Sequence, residues 1–153
     1  MDNALFWVQV IATLFIAFTF VIYYLQLRAM RAASSAQNIL SVITYLQEPT
    51  VREARRVVRM ELKSKPLSEW TDGDKRAASL VQSTYDIAGI LIKSRLVPKE
   101  VFTENWGGSI TDCHAVLAPY LDALRSESSG ATPYGAHFVW LRNEVRSRSA
   151  AGV

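Results

Sequence analysis

Apolar residues follow two different patterns along this chain of 153 residues. Residues 5–27 form an unbroken apolar run without a formal charge, whereas beyond residue 28 the apolar positions recur every three or four residues. The first pattern is typical of a helix that crosses a bilayer, and the second is typical of helices that bury one face. The sequence therefore predicts an all-α protein, in which a single N-terminal transmembrane helix is followed by a compact domain of about five helices.

These patterns divide the chain into five segments. We expect a short external N-terminus (1–4), a transmembrane helix (5–27), a juxtamembrane helix (28–48), a cytoplasmic helical domain (49–148) and a disordered tail (149–153). About 120 residues follow the apolar run, which is enough for one compact domain but too few for two.

The apolar run is long enough to cross a membrane. Fourteen of its 23 residues are Leu, Ile, Phe or Val, and together they favour insertion by about 4 to 8 kcal/mol. As a helix the run reaches about 35 Å, slightly more than the hydrocarbon core of about 30 Å. A cleaved signal peptide fits less well, because Asp2 is the only charged residue before the run and the run is too long.

Residues at the two ends of the run predict its orientation. Aromatic side chains that suit the membrane–water interfaces stand near both ends, Trp7 at one and Tyr23 and Tyr24 at the other. Arg28 and Arg31 follow the run, and no Lys or Arg precedes it. The positive-inside rule then places the N-terminus outside and the domain in the cytoplasm. We expect a single-pass protein of the inner (plasma) membrane.

The first helix is predicted to continue beyond the membrane to Gln47, because residues 28–47 contain neither Pro nor Gly and Glu48-Pro49 stops it. A short seam recurs there at spacings of three and four residues: Ala32, Ser35, Ile39, Val42 and Leu46. This seam spans barely two heptads. Packing on the chain's own domain and a dimeric coiled coil are therefore both open.

A basic amphipathic helix is predicted at residues 51–63. Thr50 and Glu53 have the spacing of a capping box, which starts a helix. The apolar face of this helix consists of Val51, Ala54, Val58 and Leu62. The basic residues cluster on a different side of the helix, and they are Arg52, Arg56, Arg59 and Lys63. They form either a solvated surface or a face that contacts anionic lipid headgroups or another polyanion, where each residue adds about 1 kcal/mol.

The helix predicted at residues 72–94 is the candidate for the centre of the core. Its broad apolar arc consists of Ala77, Leu80, Val81, Ala88, Leu91 and Ile92, with Tyr85 at the edge. Asp86 falls outside this arc, so we expect a solvated carboxylate. Gly89 costs about 1 kcal/mol relative to Ala inside a helix, and it therefore predicts a close crossing with another helix.

Three more helices are predicted toward the C-terminus. A short helix begins at Pro98 and is ended by Gly107-Gly108, and a second begins at Ser109 and contains Pro119. The last helix follows a polar loop and buries a stripe that consists of Tyr134, Phe138, Leu141 and Val145.

No combination of residues indicates catalysis or metal binding. Cys113 and His114 project about 100° apart on a helix, so they cannot pair as nucleophile and base, and with His137 they lack the spacing of a zinc site. The sequence also contains no glycine-rich phosphate loop, nucleophile elbow or paired metal motif. We therefore expect no enzymatic activity and no cofactor, with Cys113 packed in the core.

Positive charge is concentrated next to the predicted membrane helix. Residues 28–65 carry eight Lys or Arg and three Glu, whereas residues 66–153 carry nine Lys or Arg and ten Asp or Glu. Nucleic acid is the weaker candidate for a polyanion, because aromatic residues are not interleaved with the basic face. The single cysteine excludes an intrachain disulfide and suits a reducing compartment.

Spaced aromatic residues, glycines and a proline carry a family resemblance. They are Tyr85-Asp86 with Gly89, Trp106-Gly107-Gly108-Ser109-Ile110, Leu117-Ala118-Pro119-Tyr120, and Tyr134-Gly135 with Phe138, Trp140 and Leu141. Over residues 40–145 the chain resembles a family of uncharacterised bacterial proteins. The resemblance implies a membrane anchor followed by a helical domain, and it carries no catalytic or ligand residues. Cys113-His114 departs from the bulkier aromatic residue expected nearby.

Two functions of different classes follow as hypotheses. The first is a membrane-anchored cytoplasmic interaction module, a scaffold or adaptor that binds a protein partner or itself. The second is a domain that binds anionic lipid or another polyanion through the basic helix. Trp140 points about 160° away from the stripe of the last helix, and it is the candidate partner contact because indoles are frequent in binding hot spots. Nucleic acid and small-molecule substrates are not expected.

Overall fold

Helices make up nearly all of the computed structural model, which describes residues 2–127 and 133–150 without the side chains of residues 2–5, 32 and 35. The all-α prediction is confirmed, since these residues form helices and turns and contain no strand. The helices are α1 (Asp2–Gln47), α2 (Pro49–Met60), α3 (Asp72–Lys93), α4 (Lys99–Glu127) and α5 (Ala136–Ala150), with 3-10 turns at Leu62–Ser64 and Leu67–Glu69. Met1, most of the polar loop predicted at 126–133 and the last three residues of the tail lie outside the described residues.

The chain divides into two units, Met1–Gln37 and Asn38–Val153. The first unit is the apolar part of α1, which is long and apolar enough to cross a membrane. Most of its large apolar side chains are exposed. The hydroxyls of Thr13 and Thr19 donate to main-chain carbonyl oxygens one turn earlier, at 2.8 Å. An apolar exterior with polar groups satisfied inside the helix is what a lipid-facing segment requires.

The last ten residues of α1 belong to the second unit. Val42 and Leu46 are buried in its core, and Ile39 packs against that core. The predicted juxtamembrane seam therefore packs on the chain's own domain along these three residues, whereas Ala32 and Ser35 lie outside the described side chains. The domain accordingly begins within α1 rather than at α2.

α3 lies at the centre of the domain, where it packs against α2 and α5, and α5 in turn packs against α4. The predicted arc of α3 is partly buried and partly half-buried: Val81, Ala88 and Ile92 are buried, and Ala77, Leu80 and Leu91 pack against the core. Tyr85 was expected at the edge of the arc but is fully buried. Its ring stacks on Phe138 of α5 with the centroids 5.3 Å apart, which draws it into the core.

The apolar face predicted for the basic helix is confirmed, with Val51, Ala54, Val58 and Leu62 all buried. The capping box predicted from Thr50 and Glu53 is wrong. α2 already begins at Pro49, the Thr50 hydroxyl donates to the Glu48 carboxylate at 2.9 Å, and Glu53 pairs with Arg56 instead. Proline suits the first position of a helix, because its missing N–H would have no partner there in any case.

α4 is one continuous helix where two were predicted. It passes through Gly107-Gly108 without ending. A Cβ on Gly107 would lie 3.1 Å from Val145 of α5, so this glycine serves the close approach of two helices rather than a helix end. Pro119 lies inside α4 as expected. The leucines two residues to either side of it are buried, and this burial offsets the lost backbone hydrogen bond.

Two residues of α3, Asp86 and Gly89, contact the first turn of α5. Asp86 accepts a hydrogen bond from the backbone N–H of Phe138 at 2.9 Å. The prediction of a solvated carboxylate is therefore wrong, because Asp86 satisfies a free N–H of the first turn and its charge suits the positive end of the helix dipole. The close crossing predicted from Gly89 is confirmed, since a Cβ there would lie 2.6 Å from the carbonyl oxygen of His137.

α5 begins at Ala136 and runs to Ala150, so it includes the first two residues of the predicted tail. The buried residues of its predicted stripe are Phe138, Leu141 and Val145. Tyr134 precedes the helix and is half-buried. Between them Gly135 has a φ of 68°, a left-handed conformation that glycine adopts without strain.

Candidate functional site

An open groove runs between the end of α1 and α3, within the unit Asn38–Val153. Four residues of each helix line it: Ser41, Val42, Tyr45 and Leu46 from α1, and Thr84, Ile87, Ala88 and Leu91 from α3. The groove has a volume of about 370 Å³, and its surface is almost wholly apolar. Because none of the lining residues is charged, the groove is suited to apolar groups.

The floor and the rim of this groove differ in exposure. Val42, Leu46 and Ala88 are buried and form the floor, where the short side chain of Ala88 leaves space between the two helices. Tyr45 and Ile87 stand at the rim, with 36% and 44% of their surface exposed. The groove therefore has a closed apolar base and an accessible apolar edge.

The apolar surface continues along α3 beyond the groove. Ile90, three residues after Ile87 and on the same side of the helix, is 42% exposed. Neither isoleucine belongs to the arc predicted for this helix, so the surface was missed from the sequence. Two isoleucines outside the buried arc, where polar residues are normal, were the signal that could have revealed it.

Arg55 fixes the end of α1, which forms one wall of the groove. Its Nη2 donates to the carbonyl oxygen of Leu46, one of the last carbonyls of α1, which have no partner within the helix. The positive charge also suits the negative end of the helix dipole. Only Glu48 separates α1 from α2, and this short connection brings Arg55 to the helix end. No role was predicted for Arg55, although a basic residue soon after a helix end is a recognisable signal.

A small polar cluster lies between α3 and α4. The hydroxyl of Tyr85 and Oγ of Ser109 are 2.8 Å apart and share a hydrogen bond. Cys113, one turn after Ser109, is fully buried. Burial raises the pKa of the Cys113 thiol to about 11, and it also raises the pKa of Tyr85. The cysteine is thus a neutral thiol packed in the core, which is not an activated nucleophile.

His114 is buried beside α5, with its ring edge-on to Phe138 and the centroids 5.2 Å apart. Burial, assisted by the positive charges of Arg142 and Arg125, lowers the pKa of His114 to about 4. The ring is therefore neutral at pH 7. His137 instead contributes its main-chain carbonyl to the crossing with α3. Within the described residues, no three His, Cys, Asp or Glu side chains lie close enough together to hold a metal ion.

Half of the predicted basic face already takes part in ion pairs. Arg56 donates two hydrogen bonds from Nε and Nη2 to the Glu53 carboxylate and a third to Glu61 at 3.0 Å. Arg59 pairs with Asp112 of α4 at 2.9 Å. These side chains are about half exposed, so solvent screens each pair and the pairs contribute little to stability. The carboxylates nevertheless offset the charge of two of the four predicted contacts.

The other two predicted contacts, Arg52 and Lys63, are exposed. Within residues 2–127 and 133–150, no carboxylate lies within ion-pair distance of either. Because α2 ends at Met60, Lys63 lies in the 3-10 turn that follows rather than on the basic helix predicted at 51–63. A polyanion would therefore find two accessible basic side chains on two different elements.

Trp140 is half-buried and packs against the core. Part of its indole is available to a partner, and the contact predicted for it stays a prediction. The residues predicted at the membrane interfaces, Trp7, Tyr23, Tyr24, Arg28 and Arg31, are all exposed on α1. Exposure at these positions is compatible with contact with lipid headgroups.

The comparison with protein families agrees with the resemblance predicted from the spaced aromatic residues and glycines. A family model described as Domain of unknown function (DUF4760) matches residues 8–145. This range covers most of the chain, including all but the first three residues of the apolar run, the groove and the α3–α5 crossing. Comparisons with curated proteins and with solved structures find no match.

Proposed function

We propose that this chain, which belongs to the family described as Domain of unknown function (DUF4760), is a membrane-anchored helical interaction module whose groove between α1 and α3 binds a protein partner. The observation that carries the proposal is the uncharged, open groove of about 370 Å³ with Ile87 and Ile90 exposed beside it. Covering such a surface contributes about 25 cal/mol per Å² of apolar area. Contiguous apolar surface of this kind marks interaction sites.

An apolar helix face suits the groove better than a small molecule does. The two walls are themselves helices, and a third helix can place side chains spaced three and four residues apart between them. Small-molecule sites combine an apolar lining with a few directed polar groups. Here the hydroxyl of Thr84 is already used, since it donates to the carbonyl oxygen of Leu80 at 2.7 Å. The other polar side-chain groups among its eight lining residues are the hydroxyls of Ser41 and Tyr45, so apolar contacts are the main source of affinity.

Binding, rather than catalysis, is the activity that we assign. The lining of the groove contains no carboxylate, imidazole, amine or thiol, and its reactive groups are limited to the hydroxyls of Ser41, Tyr45 and Thr84. Cys113 is a buried neutral thiol, and His114 is a buried neutral imidazole. The protonated thiol is not the thiolate that acts as a nucleophile, and the lowered pKa makes the His114 imidazole a weak base.

We assign the chain to the inner (plasma) membrane as a single-pass protein. Its N-terminus lies outside and its helical domain lies in the cytoplasm. The support is the apolar, exposed first part of α1 and the basic residues Arg28 and Arg31 after it. A reporter that is active only in the cytoplasm, fused after Val153, is expected to work. Activity of an externally active reporter at the same position would reverse this orientation.

A photo-reactive residue in place of Ile87 tests whether the groove binds a protein in native membranes. Ile87 is 44% exposed at the groove rim, so the replacement leaves the core intact. Illumination is expected to yield a discrete adduct heavier than the chain. The matched control is the same replacement at Leu96, which is 47% exposed and does not line the groove. Equal labelling at both positions, or no adduct at Ile87, would contradict the proposed function.

A further inference from the structure

We infer that the occupant of the groove is a second copy of this chain, related to the first by a two-fold axis that passes close to Ile87. This inference rests on the proposed function and specifies its partner. Each protomer presents an apolar hole, the groove, directly beside an apolar ridge, Ile87 and Ile90. A patch that contains both can bind itself, because the ridge of one protomer enters the groove of the other in both directions.

The charges around the domain favour this patch as the self-contact. In a two-fold interface, residues near the axis meet their own copies, so a charged patch would repel itself. All eight lining residues are neutral, and Ile90 beside them is neutral as well. By contrast, the exposed face of α2 presents Arg52, which has no carboxylate within ion-pair distance in residues 2–127 and 133–150. The groove can therefore meet its own copy across an axis without the self-repulsion that the basic face of α2 would meet.

The proposed anchor makes a second copy the partner with the most favourable geometry. Two copies inserted in one membrane share the same orientation, so the symmetry axis that relates them is perpendicular to the membrane. Confinement to the membrane also raises the effective concentration of each copy for the other. The groove is smaller than the surface that a stable soluble dimer buries, which is more than about 1,000 Å² in total. We therefore expect the anchored chain to associate measurably and the association to depend on the anchor.

Cysteine cross-linking in the full, membrane-inserted chain tests the homotypic contact. The native Cys113 is fully buried, so Ile87→Cys introduces an accessible thiol where the native chain has a buried one only. A short bis-maleimide is expected to convert this variant to a species of twice the chain mass. Tyr45→Cys, at the opposite wall of the groove, is expected to behave in the same way. Leu96→Cys, equally exposed but away from the groove, is the control for random collision and is expected to give several-fold less.

The outcomes separate this inference from the proposed function. Preferential dimer formation at both groove positions, together with photo-adducts of twice the chain mass, supports the second copy. A photo-adduct of any other mass without preferential cysteine dimers overturns the homotypic contact but leaves a protein-binding groove. Absence of adducts and of preferential dimers overturns both. Circular dichroism checks that each variant keeps the helical content of the native chain. If Ile87→Cys does not keep it, Tyr45→Cys is used for the test instead.

Discussion

Two faces of α3 differ in how completely the chain covers them. On the face toward α5, Gly89 leaves so little room that a Cβ would lie 2.6 Å from a carbonyl oxygen, and Asp86 caps the facing helix. On the face toward α1, the same helix borders an open groove of about 370 Å³ with Ile87 at its rim. One helix is thus packed to steric contact on one side and left apolar and open on the other.

This difference shows that the groove is not a sign of poor packing in general. Cores are close-packed, and exposed apolar surface costs free energy that a mixed polar surface would not. The same helix has glycine where two backbones touch and isoleucine at the exposed positions 87 and 90. Lysine or glutamate would be tolerated at these two positions and would keep the surface polar. Under the proposed function, the first face serves folding and the second serves association. Each prediction below tests one side of this contrast.

The largest effect is expected at the closed face. Gly89→Ala forces backbone atoms of α5 to move, because the nearest atoms are the carbonyl of His137 rather than a flexible side chain. We expect a loss of about 3 kcal/mol or more, which exceeds the helix propensity gained. The measurement is chemical or thermal unfolding of the full chain in detergent.

Gly108→Ala is the matched control for this change. Gly108 also lies inside a helix, but a Cβ there meets no atom within 4 Å. Alanine is expected to leave stability unchanged or raise it by up to about 1 kcal/mol, through helix propensity alone. Equal changes in stability from Gly89→Ala and Gly108→Ala would show that α3 and α5 cross at a greater distance than in the structure.

A smaller loss is expected from Trp140→Ala on α5. A fully buried Trp costs about 3 to 5 kcal/mol on truncation to Ala, and this indole is half-buried against the core. We expect a loss of about 2 kcal/mol, seen as a lower midpoint of unfolding. An unchanged midpoint together with lost self-association would instead assign Trp140 to the partner contact, and would move the interaction surface away from the groove.

A still smaller, pH-dependent effect is expected from His114. The folded chain holds its pKa at about 4, below the ordinary value of 6.5, because burial disfavours the charged ring. Between these values the unfolded chain binds the proton more readily, so stability is lost as the pH falls from 6.5 toward 4. We expect His114→Phe to remove about 1 to 2 kcal/mol of this loss, measured as the difference in unfolding free energy between pH 7 and pH 4.5. Identical pH profiles of variant and native chain would exclude His114 as the source.

Sequence reasoning predicted the features whose signals are local. The charge-free run of α1 and the apolar stripe of α2 each depend on spacing within one segment, and both match the structure. Gly89 was also interpreted correctly, because an isolated glycine within a helical pattern has few other uses. These signals need no knowledge of which helices meet.

The errors arose where one residue type serves two structural purposes. Gly107-Gly108 carries the same signal as a helix end, and only the position of Val145, on a helix distant in sequence, shows that Gly107 serves close packing. Asp86 looks solvated on its own helix, and its partner is the backbone N–H of Phe138. The groove was missed because it forms only where α1 lies beside α3, and this arrangement is not visible within either segment alone.

The smallest effect per residue is expected on the surface that is neither closed nor apolar, the basic side of α2 and the turn after it. Binding of a polyanion there, the second function considered, has to use charges that are still available. Arg52 and Lys63 are exposed, whereas Arg56 and Arg59 already contact carboxylates. Each available basic residue contributes about 1 kcal/mol at low salt, and the contribution is screened as ionic strength rises.

Two double variants of the full chain in neutral lipid nanodiscs test this surface against inorganic polyphosphate. Arg52→Gln with Lys63→Gln is expected to weaken binding by about 2 kcal/mol at low salt, and the difference is expected to vanish at high salt. Arg56→Gln with Arg59→Gln is the control of equal charge, and it is expected to weaken binding by less, because their carboxylate partners already offset the lost charges. Both variants should retain the unfolding midpoint of the native chain, since the ion pairs that are broken are exposed and screened by solvent. An equal loss of binding in the two variants would mean that the ion pairs open in solution, and it would restore all four residues as a single basic surface.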